Sequence, residues 1–191
     1  MTIVSLFGRP GAGKTTVGDS LAEQYGFAHL PLGNMLKDLN VLAAVGINPD
    51  EMRTAIETGR TITNDRIYPW LNTRICEASS VVVDGYPRAA NSLTPYSALV
   101  SALSKRRRFV ALYLDCPTGY THRRVALRGR SDDDDRVVAR DAEFETVQLP
   151  LLDRLPIAVK VMKVNAARDQ AAVFADVERA LGLLRTGCGS E

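Results

Sequence analysis

The stretch that decides the fold is Gly8-Arg9-Pro10-Gly11-Ala12-Gly13-Lys14-Thr15, near the start of a chain of 191 residues. It follows an apolar run at residues 3–7 and precedes a helical pattern at residues 15–25. Its spacing, G-x-x-x-x-G-K-[ST], is that of a phosphate-binding loop, and the context of strand, loop and helix is the one in which this motif is meaningful. The glycines let successive backbone N–H groups turn toward phosphate oxygens, and the positive end of the helix dipole adds to the attraction.

The loop predicts how the phosphates of ATP are bound. Lys14 is expected to bridge the β- and γ-phosphates, and Thr15 to place its hydroxyl on the Mg²⁺ that neutralises them. The loop residues expected to contact ATP are Gly8, Pro10, Gly11, Ala12, Gly13, Lys14, Thr15 and Thr16. The motif does not name the phosphoryl acceptor, because GTPases, ATPases and small-molecule kinases share it.

Short apolar runs alternate with longer helical patterns along the chain. Strands are predicted at residues 3–7, 80–83, 109–114 and 159–164, and helices at 15–25, 67–78, 91–104, 119–127, 136–149 and 168–184. The run Val81-Val82-Val83 is continuously apolar, which is typical of a parallel strand covered by helices on both faces. We therefore expect a three-layer α/β domain with a parallel sheet of about five strands.

Two regions interrupt this alternation. Residues 32–64 hold short helical patterns broken at residues 46–49 and 58–60, without a convincing strand, and are predicted to form a small helical insertion. Residues 128–136 contain Gly129 and a run of aspartates, and are predicted to form a short mobile loop. The core of a single domain is then formed by residues 1–31, 65–127 and 137–191.

Charge and composition limit the class of partner. The 24 basic and 22 acidic side chains give a net charge of +2, too balanced to favour DNA or a membrane surface. No stretch approaches the roughly 20 apolar residues of a spanning helix. The basic run at residues 105–108 indicates a solvated helix end more than a nucleic-acid patch. Neither disulfide nor metal-ligand spacing is found among Cys76, Cys116 and Cys188. We expect a cytoplasmic monomer whose partners are nucleotide substrates.

Two segments narrow the function. The sequence Asp84-Gly85-Tyr86-Pro87-Arg88 directly follows the central apolar run, and Pro10 precedes Gly11-Ala12-Gly13-Lys14. Together they resemble the nucleoside monophosphate kinases, and the adenylate kinases in particular. The resemblance covers nearly the whole chain, with residues 29–37 and 59–62 similar to the start and end of the family's monophosphate-binding insertion. It implies a P-loop NTPase fold in which residues 32–64 bind the acceptor and residues 128–136 form a short lid.

Asp84 and Arg88 are the candidate residues between the donor and acceptor sites. Asp84 ends a central strand, where ligands bind in open α/β sheets, and its carboxylate can hold a Mg²⁺-bound water. Arg88 offers a planar fork that binds phosphate through two parallel hydrogen bonds, and the resemblance implies that it binds the acceptor phosphate. The alternatives are a helix cap for Asp84 and a surface arginine for Arg88.

A cationic stretch surrounds the predicted lid and comprises Arg123, Arg124, Arg128, Arg130, Arg136 and Arg140. The resemblance implies that Arg124 packs against the adenine of ATP and that Arg128 approaches its phosphates. It also implies that Arg130 and Arg140 reach the transferring group, where such side chains supply most of the catalysis. The loop is shorter than the family's usual short form, which leaves the role of Arg130 open.

The acceptor-binding residues implied by the resemblance are Leu32, Gly33, Lys37, Arg60, Ile62, Gly85, Arg88 and Ser92. Three of them depart from the adenylate kinase pattern. Leu32 replaces a threonine, Lys37 replaces an arginine that grips the acceptor phosphate, and Ser92 replaces a glutamine that binds adenine. Because buried polar partners discriminate strongly between substrates, these changes predict relaxed or redirected base choice, unless Asn91 compensates.

We therefore expect Mg-ATP-dependent phosphoryl transfer to a nucleoside monophosphate, with AMP as the default acceptor. One alternative is a kinase for a modified or non-AMP nucleotide or another small metabolite. The hydroxyl residue directly after Lys14 favours it, since shikimate and gluconate kinases share that feature. A second alternative is an ATPase switch that acts on a protein or RNA partner.

Overall fold

One sheet of five parallel strands organises the part of the chain that the computed structural model describes, which is residues 1–58, 66–127 and 134–183. The strands are β1 (Thr2–Phe7), β2 (Ala28–Pro31), β3 (Val81–Asp84), β4 (Arg108–Asp115) and β5 (Val159–Asn165). Their order across the sheet is β2-β3-β1-β4-β5. The carboxyl ends of β1 and β3 therefore lie side by side, with Leu6 opposite Asp84.

Helices cover both faces of the sheet. They are α1 (Lys14–Tyr25), α2 (Leu32–Met35), α3 (Leu39–Val45), α4 (Pro49–Thr58), α5 (Ile67–Glu77), α6 (Ala90–Leu103), α7 (Thr118–Ala126), α8 (Asp134–Glu143) and α9 (Gln170–Leu181). After α8 the chain continues as a π-helical turn, Phe144–Gln148, and a 3₁₀ turn, Leu149–Arg154. The predicted three-layer α/β fold is confirmed.

Two apolar cores lie on opposite faces of the sheet. Alternate residues of β3 point to different cores: Val81 and Val83 pack with α5 and α6, whereas Val82 packs with α1 and α9. All three valines are fully buried, as their continuous apolar run predicts. Burial of each such side chain contributes about 1.5–3 kcal/mol, so the middle layer is firmly fixed.

Two details of the fold differ from the sequence prediction. β2 is not predicted because it is short, half-buried and ends in Pro31, which an edge strand tolerates since its outer N–H groups need no partner. The helix predicted at residues 136–149 begins at Asp134 instead, inside the segment predicted as a lid, and ends at Glu143. Pro150 lacks a backbone donor, and the chain around it adopts the 3₁₀ turn.

The described part of the predicted insertion, residues 32–58, consists of three short helices joined by turns. Gly46 ends α3 in the left-handed region, with φ of 65°, and Pro49 begins α4, so the predicted break lies where the sequence indicates. Arg60 and Ile62, Arg128 and Arg130, and the tail at residues 184–191 lie outside the described residues. Within the described ranges, no helix combines the length and the apolar character required to cross a membrane.

The basic run at residues 105–108 caps two helices. Arg107 donates hydrogen bonds to the carbonyls of Ile75 and Cys76 at the end of α5, at 2.8 and 2.9 Å. Arg108 does the same at the end of α9, with a distance of 2.8 Å to the Leu181 carbonyl. Cations stabilise the unsatisfied carbonyls of helix C-termini. Arg107 and Arg108 therefore bind to the ends of two other helices, whereas the sequence predicts that the run is solvated.

Candidate active site

The loop between β1 and α1 packs tightly against its neighbours. Gly8 and Gly11 have φ of 152° and 82°, and a Cβ on Gly11 would lie only 2.7 Å from the carbonyl oxygen of Thr121 in α7. A Cβ on Gly8 would lie 2.9 Å from the carbonyl oxygen of Leu114 in β4. Glycine is therefore required at both positions, and the loop backbone is fixed against β4 and α7.

The Lys14 side chain folds back over this loop. Its ammonium group donates hydrogen bonds to the carbonyl oxygens of Gly8, at 2.6 Å, and Arg9, at 3.1 Å. The positive charge is thus held against the carbonyl groups at the start of the loop. This is the position from which a compact, mobile ammonium group can move onto phosphate oxygens.

Thr15 and Asp84 meet at the carboxyl edge of the sheet. The Thr15 hydroxyl donates to a carboxylate oxygen of Asp84 at 3.2 Å, although the two residues are 69 positions apart in the chain. Mg²⁺ takes oxygen ligands and is commonly held by one or two protein groups together with phosphates and water. The two oxygens brought together here fit such a site.

A pocket of about 250 Å³ lies on the other side of the loop. Arg124 of α7 forms part of its wall and donates to the carbonyls of Ala166 and Arg168, at 2.9 and 2.8 Å. These bonds fix the plane of the guanidinium group, which is the surface that a base can stack on. The remaining lining residues are Gly11, Ala12, Gly13, Thr16, Val17, Ser20, Leu127, Gln170, Val173 and Phe174.

The α9 residues of this pocket were missed by the sequence reasoning. Gln170, Val173 and Phe174 begin a helix whose pattern is ordinary, and no motif marks them. They reach the loop because β5 lies beside β4 and returns the chain to the same edge of the sheet. Leu127 could have been noticed only as an apolar residue at a helix end, and it is 80% exposed.

The turn between β3 and α6 carries Arg88. Gly85 adopts a φ of 92°, and the backbone N–H groups of Arg88 and Ala89 both donate to the Ser92 hydroxyl, at 3.0 and 3.1 Å. That hydroxyl in turn donates to the Ala89 carbonyl at 2.5 Å, and Ser92 is 0% exposed. The direct acceptor contact expected of Ser92 does not fit this geometry, because its hydroxyl is already used to fix the turn.

The Arg88 side chain reaches from this turn toward α8. One terminal nitrogen donates to a carboxylate oxygen of Glu143 at 3.2 Å. Its Nε is buried and has no acceptor among the described residues. A buried donor without a partner costs about 1–3 kcal/mol, so this arginine is suited to an additional oxyanion.

The comparisons with known proteins agree with this arrangement. The family model for adenylate kinase matches residues 6–156 of the chain. The chain belongs to the adenylate kinase family. It is therefore a nucleoside monophosphate kinase, and the predicted P-loop fold is that of its family.

The relatives of this adenylate kinase family member are named after different acceptors. Adenylate kinase 1 of Drosophila melanogaster is 27% identical over 94% of this chain and 79% of its own length. UMP-CMP kinase 3 of Arabidopsis thaliana is 26% identical over 93% and 87%, respectively. Adenylate kinase of Prochlorococcus marinus (strain MIT 9301) is 22% identical over 92% and 96%. The similarity therefore does not choose the acceptor base.

The candidate residues in the described part of the predicted acceptor-binding insertion have different environments. Leu32 is buried in the core, with 7% exposure, so its side chain helps to anchor the insertion. Gly33 and Lys37 are exposed, and the Lys37 ammonium lies 3.4 Å from the Asn34 side-chain oxygen. Of these three residues, only Lys37 has a polar side chain, and that side chain is exposed.

Arg9 is a charged residue of the phosphate loop that the sequence reasoning did not single out. Its guanidinium group donates to Asp141 at 2.6 Å and to Glu145, and lies 5.6 Å from the centre of the Phe144 ring. Burial opposes its charge, but the hydrogen bonds that it donates to Glu145 and Asp141 outweigh this effect and raise the pKa of Arg9 above its ordinary value. The side chain is thus engaged by α8 and the following turn.

Replacing Ser92 with alanine is expected to lower the free energy of unfolding by about 1–2 kcal/mol, because two part-buried backbone N–H groups lose their acceptor. The turn that carries Arg88 loosens, so we also expect a several-fold higher KM for the monophosphate. Urea unfolding and steady-state kinetics measure the two effects. The matched control is Ser101→Ala on the exposed face of the same helix, which should shift stability by no more than about 0.5 kcal/mol.

Proposed function

We propose that the protein transfers the γ-phosphoryl group of Mg-ATP to a nucleoside monophosphate, with AMP as the default acceptor. The observation that carries the proposal is the contact between Thr15 and Asp84. Thr15 belongs to the donor phosphate loop, and Asp84 begins the turn that carries Arg88. A donor phosphate at the loop and an acceptor phosphate at Arg88 would therefore meet at one edge of the sheet.

Each group in this arrangement manages charge. Lys14 would follow the β- and γ-phosphates, and Arg88 would bind the acceptor phosphate through its fork and its buried Nε. Thr15 and Asp84 would hold Mg²⁺, which supplies positive charge to the phosphate oxygens. The attacking atom is an oxygen of an anionic phosphate, so the reaction needs no general base from the protein.

The choice of acceptor base rests on Asn91 more than on Ser92. Asn91 is exposed at the start of α6, and its side-chain oxygen accepts a hydrogen bond from the Tyr68 hydroxyl at 3.2 Å. The amide group that it can present to a base is then its NH₂. Such a donor pairs with ring nitrogens of adenine and also with the carbonyl oxygen or ring nitrogen of cytosine. This donor is therefore compatible with pyrimidine monophosphates as the second candidate acceptors, but it does not prefer them to AMP.

An acceptor screen tests the proposal. Formation of ADP from ATP is followed with AMP, CMP, UMP, GMP, their deoxy forms and shikimate, each with and without Mg²⁺. We expect the highest kcat/KM with AMP, turnover only when Mg²⁺ is present, and none with adenosine, which lacks the phosphate that Arg88 binds. ADP formation that no acceptor changes would favour the ATPase switch, and turnover with shikimate alone would favour the metabolite kinase.

A further inference from the structure

A cluster of charged side chains joins the phosphate loop to α8. Its loop member is Arg9, whose backbone carbonyl accepts hydrogen bonds from the Ala12 amide and the Lys14 ammonium, both at 3.1 Å. The same residue thus contacts the catalytic lysine through its backbone. Its side chain leaves the loop in the direction of α8.

The cluster on α8 and the π-helical turn that follows it surrounds a guanidinium group. Asp141 and Glu145 are four positions apart, so they lie on one face of consecutive helical turns and both accept from Arg9. Phe144 supplies an aromatic face to the same group. The side chains of Arg9 and Asp141 are only 13% and 11% exposed, whereas that of Glu145 is 54% exposed. The pair with Asp141 is therefore the one least weakened by solvent.

Asp141 also lies close to the helix on the other side of the predicted lid. Its second carboxylate oxygen is 3.7 Å from Nε2 of His122 in α7. The neighbouring carboxylate at the end of β4, Asp115, is instead paired with Lys163 at 2.8 Å. Asp141 is thus the point at which the phosphate loop, α7 and α8 come together, directly next to Arg140.

We propose that Arg9 is a positioning residue for phosphoryl transfer, which fixes α8, and with it Arg140, relative to the phosphate loop through Asp141 and Glu145. The inference rests on the proposed function, since it assigns Arg140 to the transferring group. Arg9 acts through the helix, because its own charge is matched by two carboxylates. A misplacement of about 1 Å in a site of this kind costs on the order of 10²-fold in rate.

The test is Arg9→Met in the full chain, which keeps the length and apolar character of the side chain and removes its fork. We expect kcat to fall about 10- to 100-fold while the dissociation constant of ATP changes less than about threefold. Arg9→Lys should recover part of the loss, because it keeps the charge and one contact. The matched control is Arg179→Met, which breaks an exposed ion pair with Asp176 on α9 and should leave kcat within about twofold.

A double-mutant cycle separates positioning from general weakening. If Arg9 acts through Asp141, the double variant Arg9→Met/Asp141→Leu should be no slower than the slower single variant. The inference would be overturned if the fold-losses in kcat of the two single variants multiply in the double variant, or if Arg9→Met has the wild-type kcat. Thermal unfolding of every variant ensures that kinetics are measured on folded protein, and Asp141→Asn provides a milder change if Arg9→Met fails to fold.

Hydrogen exchange gives a readout that does not depend on turnover. Loss of the ion pairs between Arg9 and the two carboxylates in Arg9→Met should speed hydrogen exchange of the amides at residues 8–14 and 134–143 by about tenfold or more, with little change in α6. Unchanged hydrogen exchange in Arg9→Met would contradict the proposal that Arg9 fixes α8 to the phosphate loop. Failure of the proposed function would look different, because the wild-type protein would then transfer no phosphoryl group to any monophosphate while the exchange effect persisted.

Discussion

Replacing Lys14 with alanine is expected to lower kcat for phosphoryl transfer on the order of 10³-fold, the loss seen when a preorganised donor to transition-state charge is removed. The reason is the position of its ammonium group, which lies 2.6 Å from the Gly8 carbonyl oxygen at the start of the phosphate loop. From there it can follow the negative charge that spreads over the β- and γ-phosphates. Steady-state kinetics at saturating ATP and AMP measure the change.

The matched control for Lys14→Ala is Lys105→Ala, which removes the same group from an exposed site between α6 and β4. Its kcat should stay within about twofold of wild type. ATP binding by Lys14→Ala, measured by calorimetry, distinguishes the ground state from the transition state. If only the affinity for ATP falls, Lys14 binds the ground state and the transition state equally well. If kcat is unchanged, Lys14 has no part in the chemical step.

The parts of the fold that could be predicted are those whose signal is local. The phosphate loop is one continuous motif, and its strand and helix begin within one or two positions of the predicted bounds. The central strand is visible because helices bury both of its faces, so Val81, Val82 and Val83 are all apolar. β2 gives no comparable signal, since its half-buried residues follow neither a continuous nor a clearly alternating pattern.

The parts of the site that could not be predicted depend on contacts between distant residues. Arg9 and Asp141 are 132 positions apart, and nothing in either local sequence indicates the other. Asp84 and Thr15 were each selected separately, and the strand order brings them together. Ser92 illustrates a different difficulty. Its departure from the family pattern predicts a change in base recognition, whereas in the folded chain its hydroxyl fixes the turn at Arg88.

These long-range contacts give α8 a role that its sequence does not suggest. Glu143 accepts a hydrogen bond from Arg88 on the acceptor side, whereas Asp141 accepts one from Arg9 on the donor side. One end of a single helix therefore contacts both halves of the proposed site. Substitution of Glu143 should therefore change the kinetics of the acceptor, and substitution of Asp141 those of the donor. Substitution of Arg88 tests the acceptor side alone.

Replacing Arg88 with methionine is expected to lower kcat/KM for the monophosphate on the order of 10²- to 10³-fold, because the acceptor phosphate loses a charged bidentate partner. ATP affinity should change less than about threefold, since the proposed site for the donor phosphates is the loop on the other side of Asp84. Kinetics over a range of AMP at saturating ATP, with calorimetry for ATP alone, separate the two parameters.

Two further variants decide what the Arg88 result means. Arg88→Lys keeps the charge but loses the fork, so an intermediate loss is expected if two parallel hydrogen bonds hold the phosphate. Arg74→Met removes an arginine of similar exposure that lies 4.2 Å from the centre of the Trp70 ring on α5, and should leave both parameters near wild type. If Arg88→Met weakens ATP binding and leaves kcat/KM for the monophosphate unchanged, this arginine lies on the donor side. A fall in kcat/KM for the monophosphate alone would place the guanidinium group of Arg88 on the acceptor phosphate.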